Sequence, residues 1–70
     1  MSRSTFGQRE ATRTETIHDL CLTVMMCSRD LGEGTVTLIC RRIIAQLRRG
    51  ETPALGDIRT VSMAHRRYFR

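Results

Sequence analysis

The residues of this chain best suited to binding chemistry are its arginines, most of which lie in its second half. All twelve basic residues among the 70 are arginine, and seven acids leave a net charge of +5. Residues 1–35 hold four arginines and five acids, whereas residues 36–70 hold eight arginines and two acids, so the halves carry −1 and +6. Because guanidinium groups bind phosphates and carboxylates, this asymmetry predicts an anionic partner: nucleic acid, an acidic protein surface or anionic lipid.

Seven of the eight arginines of the second half fall in two predicted helices, and Arg70 directly follows the second of them. Two arginine pairs flank an apolar stripe in LICRRIIAQLRRG, residues 38–50. A basic surface built from two neighbouring helices is typical of proteins that bind the phosphate backbone. The predicted nucleic-acid-binding residues are Arg41, Arg42, Arg48, Arg49, Arg59, Arg66, Arg67 and Arg70. Solvated arginines that cover apolar surface and cap helices would give the same pattern. Tyr68 and Phe69 could stack on bases or tuck under the core.

Five further side chains are of metal-ligand type: His18, Cys21, Cys27, Cys40 and His65. Structural zinc sites usually contain close Cys-x-x-Cys pairs, and this sequence has none. Cysteine is also among the most buried residue types, and Cys21 and Cys40 fall in predicted apolar stripes. We therefore expect core thiols, with no metal and no cofactor.

No combination of residues indicates catalysis. Glu15 and Asp19 share a helix face, but carboxylates in a first helical turn are explained by the helix dipole. The sequence has no phosphate-binding loop, nucleophile elbow or dinucleotide motif, and so short a chain cannot easily enclose a substrate pocket. It predicts a protein that is not an enzyme and has no small-molecule substrate.

Three helices are predicted to carry these residues, at 12–31, 36–49 and 53–69. Apolar residues recur at helical spacing from Ile17 onward, and the segment beginning at Thr12 has the form of a capping box. Two glycines after residue 31 predict a turn, while Gly50 and Pro53 separate the second and third helices. The strand formers in CLTVMM and TVTLIC are a competing signal, which helical periodicity outweighs. The predicted fold is all-α, a small three-helix bundle whose first two helices form an antiparallel hairpin.

A flexible polar arm, residues 1–11, is expected ahead of a single domain, residues 12–70. Leu22, Met25 and Met26 broaden the apolar face of the first helix, which predicts self-association as a homodimer. MSRSTFGQREATRTE lacks the apolar core of a signal peptide, and LCLTVMMCS is too short to span a membrane. With an odd number of cysteines, these features predict a cytoplasmic protein. The basic helices also lack the aromatic face of a membrane-surface anchor.

The sequence thus predicts a nucleic-acid-binding regulatory protein, with DNA as its expected ligand. The lengths of segments 36–50, 51–56 and 57–69 approach those of a helix-turn-helix, whereas the strand of a ribbon-helix-helix is poorly matched. The docking mode stays open. The alternative is a protein-binding adaptor or inhibitor, of the accessory type found in phages, plasmids and bacteria. It would dock on a larger partner through the Leu/Met face or the basic face.

Overall fold

The computed structural model describes the backbone of residues 2–70 and the side chains of residues 13–70. Over residues 2–70 the chain forms three helices and no strand: α1 (Ser2–Leu31), α2 (Gly34–Arg48) and α3 (Leu55–Tyr68). The predicted all-helical architecture of three helices is confirmed. The molecule measures 46 × 27 × 18 Å. Since 30 helical residues span about 45 Å, α1 accounts for the long axis.

The first helix begins at Ser2, so the predicted start at Thr12 is wrong by ten residues. The backbone is already helical at Thr12, which therefore cannot be an N-cap. Residues 2–11 contain no proline and one glycine, Gly7, so little in this segment opposes a helix. The flexible arm predicted at residues 1–11 stays a prediction, because the side chains of this segment lie outside those described.

The first two helices end in the same way, with a glycine in the left-handed conformation. Gly32 has φ 76° and Gly50 has φ 75°. After α1, the Glu33 amide donates to the Ser28 carbonyl at 2.8 Å. After α2, the Glu51 amide donates to the Gln46 carbonyl at 2.8 Å. Both are Schellman motifs, which satisfy carbonyls left over at a helix end. The predicted role of Gly50 as the residue after the second helix is confirmed.

The third helix begins two residues later than predicted. Its N-cap is Ala54, whose ψ of 139° is extended, and Leu55 is the first helical residue. Pro53 therefore precedes the cap instead of opening the helix. Its side chain is buried, so this proline fixes the path of the loop between α2 and α3.

The core is small and receives side chains from all three helices. Its buried residues are Cys21 and Val24 from α1, Cys40, Ile43 and Ile44 from α2, and Val61 and Ala64 from α3. Ser28 is fully buried beside it: its hydroxyl contacts Thr37 Oγ1 at 2.6 Å, and its Oγ lies 3.0 Å from the Met25 carbonyl. No helix within residues 2–70 is long and apolar enough to cross a membrane.

Candidate nucleic-acid interface

The outward face of α3 is a stripe of arginine. Val61 and Ala64 are buried, so the face of α3 that carries them packs against the core. Residues 59, 63 and 66 follow one another at spacings of four and three, so they share the opposite face of the helix, and Arg70 follows two residues after the helix ends. Arg59, Arg66 and Arg70 are exposed, and Met63 is 63% exposed between them. Among the side chains of residues 13–70, none forms an ion pair with these three arginines.

Beside this stripe lies an open groove of about 590 Å³, between α3 and the beginning of α2. We call it the α3 groove. Its lining consists of Val36, Thr60, Met63, Ala64, Arg66, Arg67 and Arg70. It thus combines three apolar side chains with three guanidinium groups, and none of the described lining residues is acidic.

Glu33, in the turn between α1 and α2, holds the end of α3. Nη2 of Arg67 donates to both carboxylate oxygens of Glu33, at 2.9 and 2.8 Å. The Tyr68 hydroxyl donates to the same carboxylate. The Arg67 guanidinium also lies 5.4 Å from the centre of the Tyr68 ring. Arg67 is therefore fixed and partly neutralised. Tyr68 packs against the core and is not free to stack on a base.

Two more of the predicted binding residues are already in ion pairs. Arg42 makes a two-bond pair with Asp57 of α3: Nε donates to Oδ2 at 3.1 Å and Nη2 to Oδ1 at 2.9 Å. Arg49 Nε lies 3.1 Å from Glu51 Oε2. With Arg67, three of the eight arginines thus have acidic partners among the side chains of residues 13–70.

Arg41 and Arg48 lie on a different side of the molecule. Arg48 lines a second groove, with Leu47 and with residues of α1 that include Glu15 and His18. Arg41 precedes it by seven residues, about two helical turns, so both face the α1 side of α2. The eight arginines therefore do not form one continuous surface. Five of them have no acidic partner among the described side chains: Arg41, Arg48, Arg59, Arg66 and Arg70.

The relation between α2 and α3 bears on the docking mode. Glu33 at the start of α2 contacts Arg67 near the end of α3, whereas Arg42 in the middle of α2 contacts Asp57 near the start of α3. The two helices therefore lie side by side and run in opposite directions. A helix-turn-helix places its helices at about 90–120°, which does not fit these contacts. A ribbon-helix-helix needs a strand, and residues 2–70 contain none.

The predicted self-association residues separate into two groups. Met25 packs against the core, whereas Leu22 is 38% exposed and Met26 is 67% exposed. Leu22 and Met26 are one helical turn apart and share a face of α1. Leu22 and Met26 therefore offer a partner more surface than the half-buried Met25 does.

The thiols predicted to lie in the core do so. Cys21 and Cys40 are 1% and 0% exposed, while Cys27 is half-buried. Burial, with the neighbouring Cys40 thiol adding to it, raises the pKa of Cys21 to about 12. Burial also raises the pKa of Cys40. Within the described part of the chain, no group of three His, Cys, Asp or Glu side chains could hold a metal ion.

Comparisons with known proteins find no match for this chain among protein-family models, curated proteins or solved structures. Its own residues and geometry are therefore the basis for assigning a function.

Proposed function

We propose that this protein is a non-enzymatic, regulatory nucleic-acid-binding protein that contacts the phosphate backbone with the outward face of α3. The observation that carries the proposal is the row of exposed arginines formed by Arg59 and Arg66 on that face and by Arg70 just beyond the end of the helix. Asp57, the one acidic residue of α3, is engaged by Arg42 and does not neutralise them. Arginine contacts to phosphates supply most of the affinity in sequence-independent binding.

The spacing of the row suits a run of phosphates. Positions 59 and 66 are separated by about 10 Å along the helix axis. Arg70 lies just beyond the end of the helix, so the three guanidiniums can reach successive backbone groups. Neutralising three phosphates makes log K fall with log[salt] at a slope of roughly −2 to −3. Arg41 and Arg48 would add contacts only if the nucleic acid also reached the α1 side of α2. We propose that the ligand is DNA and that the protein binds it in the cytoplasm.

Two double variants that remove the same amount of charge test whether the α3 face binds DNA. Arg66→Ala/Arg70→Ala and Arg41→Ala/Arg48→Ala each remove two positive charges from exposed positions. The first is expected to weaken DNA binding and make the salt slope shallower by roughly 1.5 to 2, because two phosphate contacts are lost. The second should have a much smaller effect. Fluorescence anisotropy across a salt series gives both quantities.

Two outcomes would count against the proposal. Equal losses in the two double variants would mean that net charge, and not the α3 face, attracts DNA. Absence of DNA binding by the unaltered protein at low salt would remove nucleic acid as a ligand.

We also propose that the protein is a homodimer and that α1 and α2 form an antiparallel hairpin. Leu22 and Met26 support the dimer, since they expose apolar surface on one face of α1. The hairpin is supported by the hydrogen bond between Ser28 and Thr37 across the turn. Further from the turn, Cys21 meets Cys40.

A protein-binding adaptor or inhibitor is the second candidate, favoured by the exposure of Leu22 and Met26. A partner seated on this apolar face would bind with little dependence on salt, unlike a phosphate backbone. Substituting the two residues would then abolish the interaction while leaving any DNA binding unchanged.

A further inference from the structure

The α3 groove contains apolar side chains that binding to a phosphate backbone does not require. We propose that this groove takes single-stranded nucleic acid, seating an unstacked base against its apolar residues while neighbouring arginines hold the phosphates. This inference rests on the proposed function and specifies its ligand.

The apolar part of the groove is what distinguishes a single strand from a duplex. Val36, Met63 and Ala64 line it. Ala64 is 3% exposed and belongs to the core, so the apolar surface that a base can touch comes from Val36 and from Met63, which is 63% exposed. In a duplex the bases are stacked and paired, so the surface offered to a protein is mostly sugar and phosphate. A single strand can turn a base outward and place its face on an apolar surface, which is how strands are held without sequence preference.

The dimensions of the groove fit such a base. Its volume of about 590 Å³ falls within the range of about 300–1,000 Å³ found for pockets that hold small organic ligands. The groove is open along its side, so the strand can continue past it in both directions. A volume of this size is sufficient for one base.

The charges around the groove are arranged for a strand that passes along α3. Arg66 and Arg70 line the groove and have no acidic partner among the side chains of residues 13–70. Arg67 is held by Glu33 on the side of α2. The uncompensated positive charge therefore lies along the outward edge of the groove, where phosphates flanking a seated base would pass.

Few groups in the groove could distinguish one base from another. Thr60 is its one uncharged polar side chain, and the Thr60 hydroxyl already donates to the Gly56 carbonyl at 2.9 Å. It keeps only the capacity to accept a hydrogen bond. Because reading a base edge requires matched donors and acceptors, we expect binding with little sequence preference.

The test compares three polyanions by fluorescence anisotropy at one salt concentration. The probes are an oligothymidylate of about 15 nucleotides, a DNA duplex of the same length, and inorganic polyphosphate with a similar number of phosphates. We expect the oligothymidylate to bind more tightly than either of the others, because it alone offers exposed bases.

Met63→Ser removes apolar surface from the groove without changing charge, and Leu38→Ser, at an exposed apolar residue that does not line the groove, is its matched control. Met63 and Leu38 are 63% and 65% exposed, so neither substitution should disturb folding, which circular dichroism would verify. Met63→Ser is expected to weaken oligothymidylate binding by about four- to fifteenfold, the effect of removing one or two methylene groups from contact. Its affinity for polyphosphate should not change. Leu38→Ser should change the affinity for neither probe.

The outcomes separate this inference from the proposed function. If the duplex binds as tightly as the single strand, or if Met63→Ser weakens oligothymidylate binding no more than Leu38→Ser does, the groove does not seat a base. Phosphate-backbone binding by α3 would still stand. If no nucleic acid binds, both proposals fail.

Discussion

Arg42 and Asp57 join α2 to α3 through two hydrogen bonds, and their contribution to stability is open to measurement. The Arg42 side chain is 58% exposed and that of Asp57 is 19% exposed. Because solvent screens such pairs, Arg42→Ala should lower the free energy of unfolding by only about 0.5 kcal/mol. Asp57→Ala should cost about 1 kcal/mol, since this carboxylate also lies in the first turn of α3 and favours the helix dipole.

Urea denaturation of both single variants and the double variant measures the coupling between the two residues. If the losses simply add, the ion pair contributes nothing. Arg42→Ala should also leave DNA affinity nearly unaltered, because its guanidinium is already occupied by a carboxylate.

The buried thiol of Cys21 makes stability depend on pH in the alkaline range. Its pKa is raised from 9.0 to about 12 in the folded protein. Above pH 9 this thiol ionises in the unfolded chain and stays protonated in the folded chain. Its stabilising contribution is therefore complete below pH 9 and is lost as the pH rises toward 12.

We expect the melting temperature to fall across that window, and to fall less steeply in Cys21→Ala. Cys27→Ala is the control, because Cys27 is half-buried and lies outside the core cluster. Identical slopes in the unaltered protein and Cys21→Ala would exclude this thiol as a cause.

Residue types alone identified the arginines but could not show which of them are free. The acids that engage Arg42 and Arg67 lie 15 and 34 residues away in the sequence, so only the folded chain brings each pair together. Met63 was missed as a site residue for a related reason. Its place between Arg59 and Arg66 at helical spacing was visible, but its exposure depends on which face of α3 meets the core.

At the scale of the helices, two glycines in equally open surroundings should respond oppositely to alanine. A Cβ at Gly50 or Gly56 would meet no atom within 4 Å, so steric crowding does not separate them. Gly50 has φ 75° after α2, whereas Gly56 lies inside α3. Gly50→Ala should therefore destabilise the protein by about 1–2 kcal/mol. Gly56→Ala should stabilise it by about 0.5–1 kcal/mol.

Urea denaturation of each variant measures its change in the free energy of unfolding, and so checks the two predictions separately. If Gly50→Ala left the free energy of unfolding unchanged, the loop after α2 would have relaxed away from the left-handed conformation. A destabilising Gly56→Ala would indicate a contact that α3 makes outside the isolated chain, such as one in a dimer.

Helix interiors were predictable from the sequence, and helix ends much less so. The apolar spacing of α2 identified Cys40, Ile43 and Ile44, all of which are buried. The start of α1 was not predictable, because residues 2–11 lack apolar periodicity and the capping signal at Thr12 was plausible in itself. Tertiary context decides whether such a signal is used, since a helix already under way has no need of a cap.

At the scale of the whole molecule, the core is so small that we expect a partner to contribute to stability. Domains of about this length seldom gain more than about 3–5 kcal/mol from a single core. Among residues 13–70, seven residues form the buried apolar cluster, and several large apolar side chains remain exposed, Met26 among them at 67%. A second copy of the chain would supply further burial, and the melting temperature would then rise with protein concentration.

The homodimer predicts a mass near twice the 8.0 kDa of the chain at micromolar concentration, measurable by sedimentation equilibrium. Leu22→Glu/Met26→Glu should return the mass to 8.0 kDa and lower the melting temperature, because charged groups cannot be buried unpaired between subunits. Leu38→Glu/Leu55→Glu is the matched control: it adds the same charge at leucines that are 65% and 79% exposed, and it should leave the mass doubled. If the control alone dissociates the protein, the dimer forms through another surface. If the unaltered protein sediments at 8.0 kDa and unfolds cooperatively, the three helices are sufficient by themselves and Leu22 and Met26 become available to a different protein.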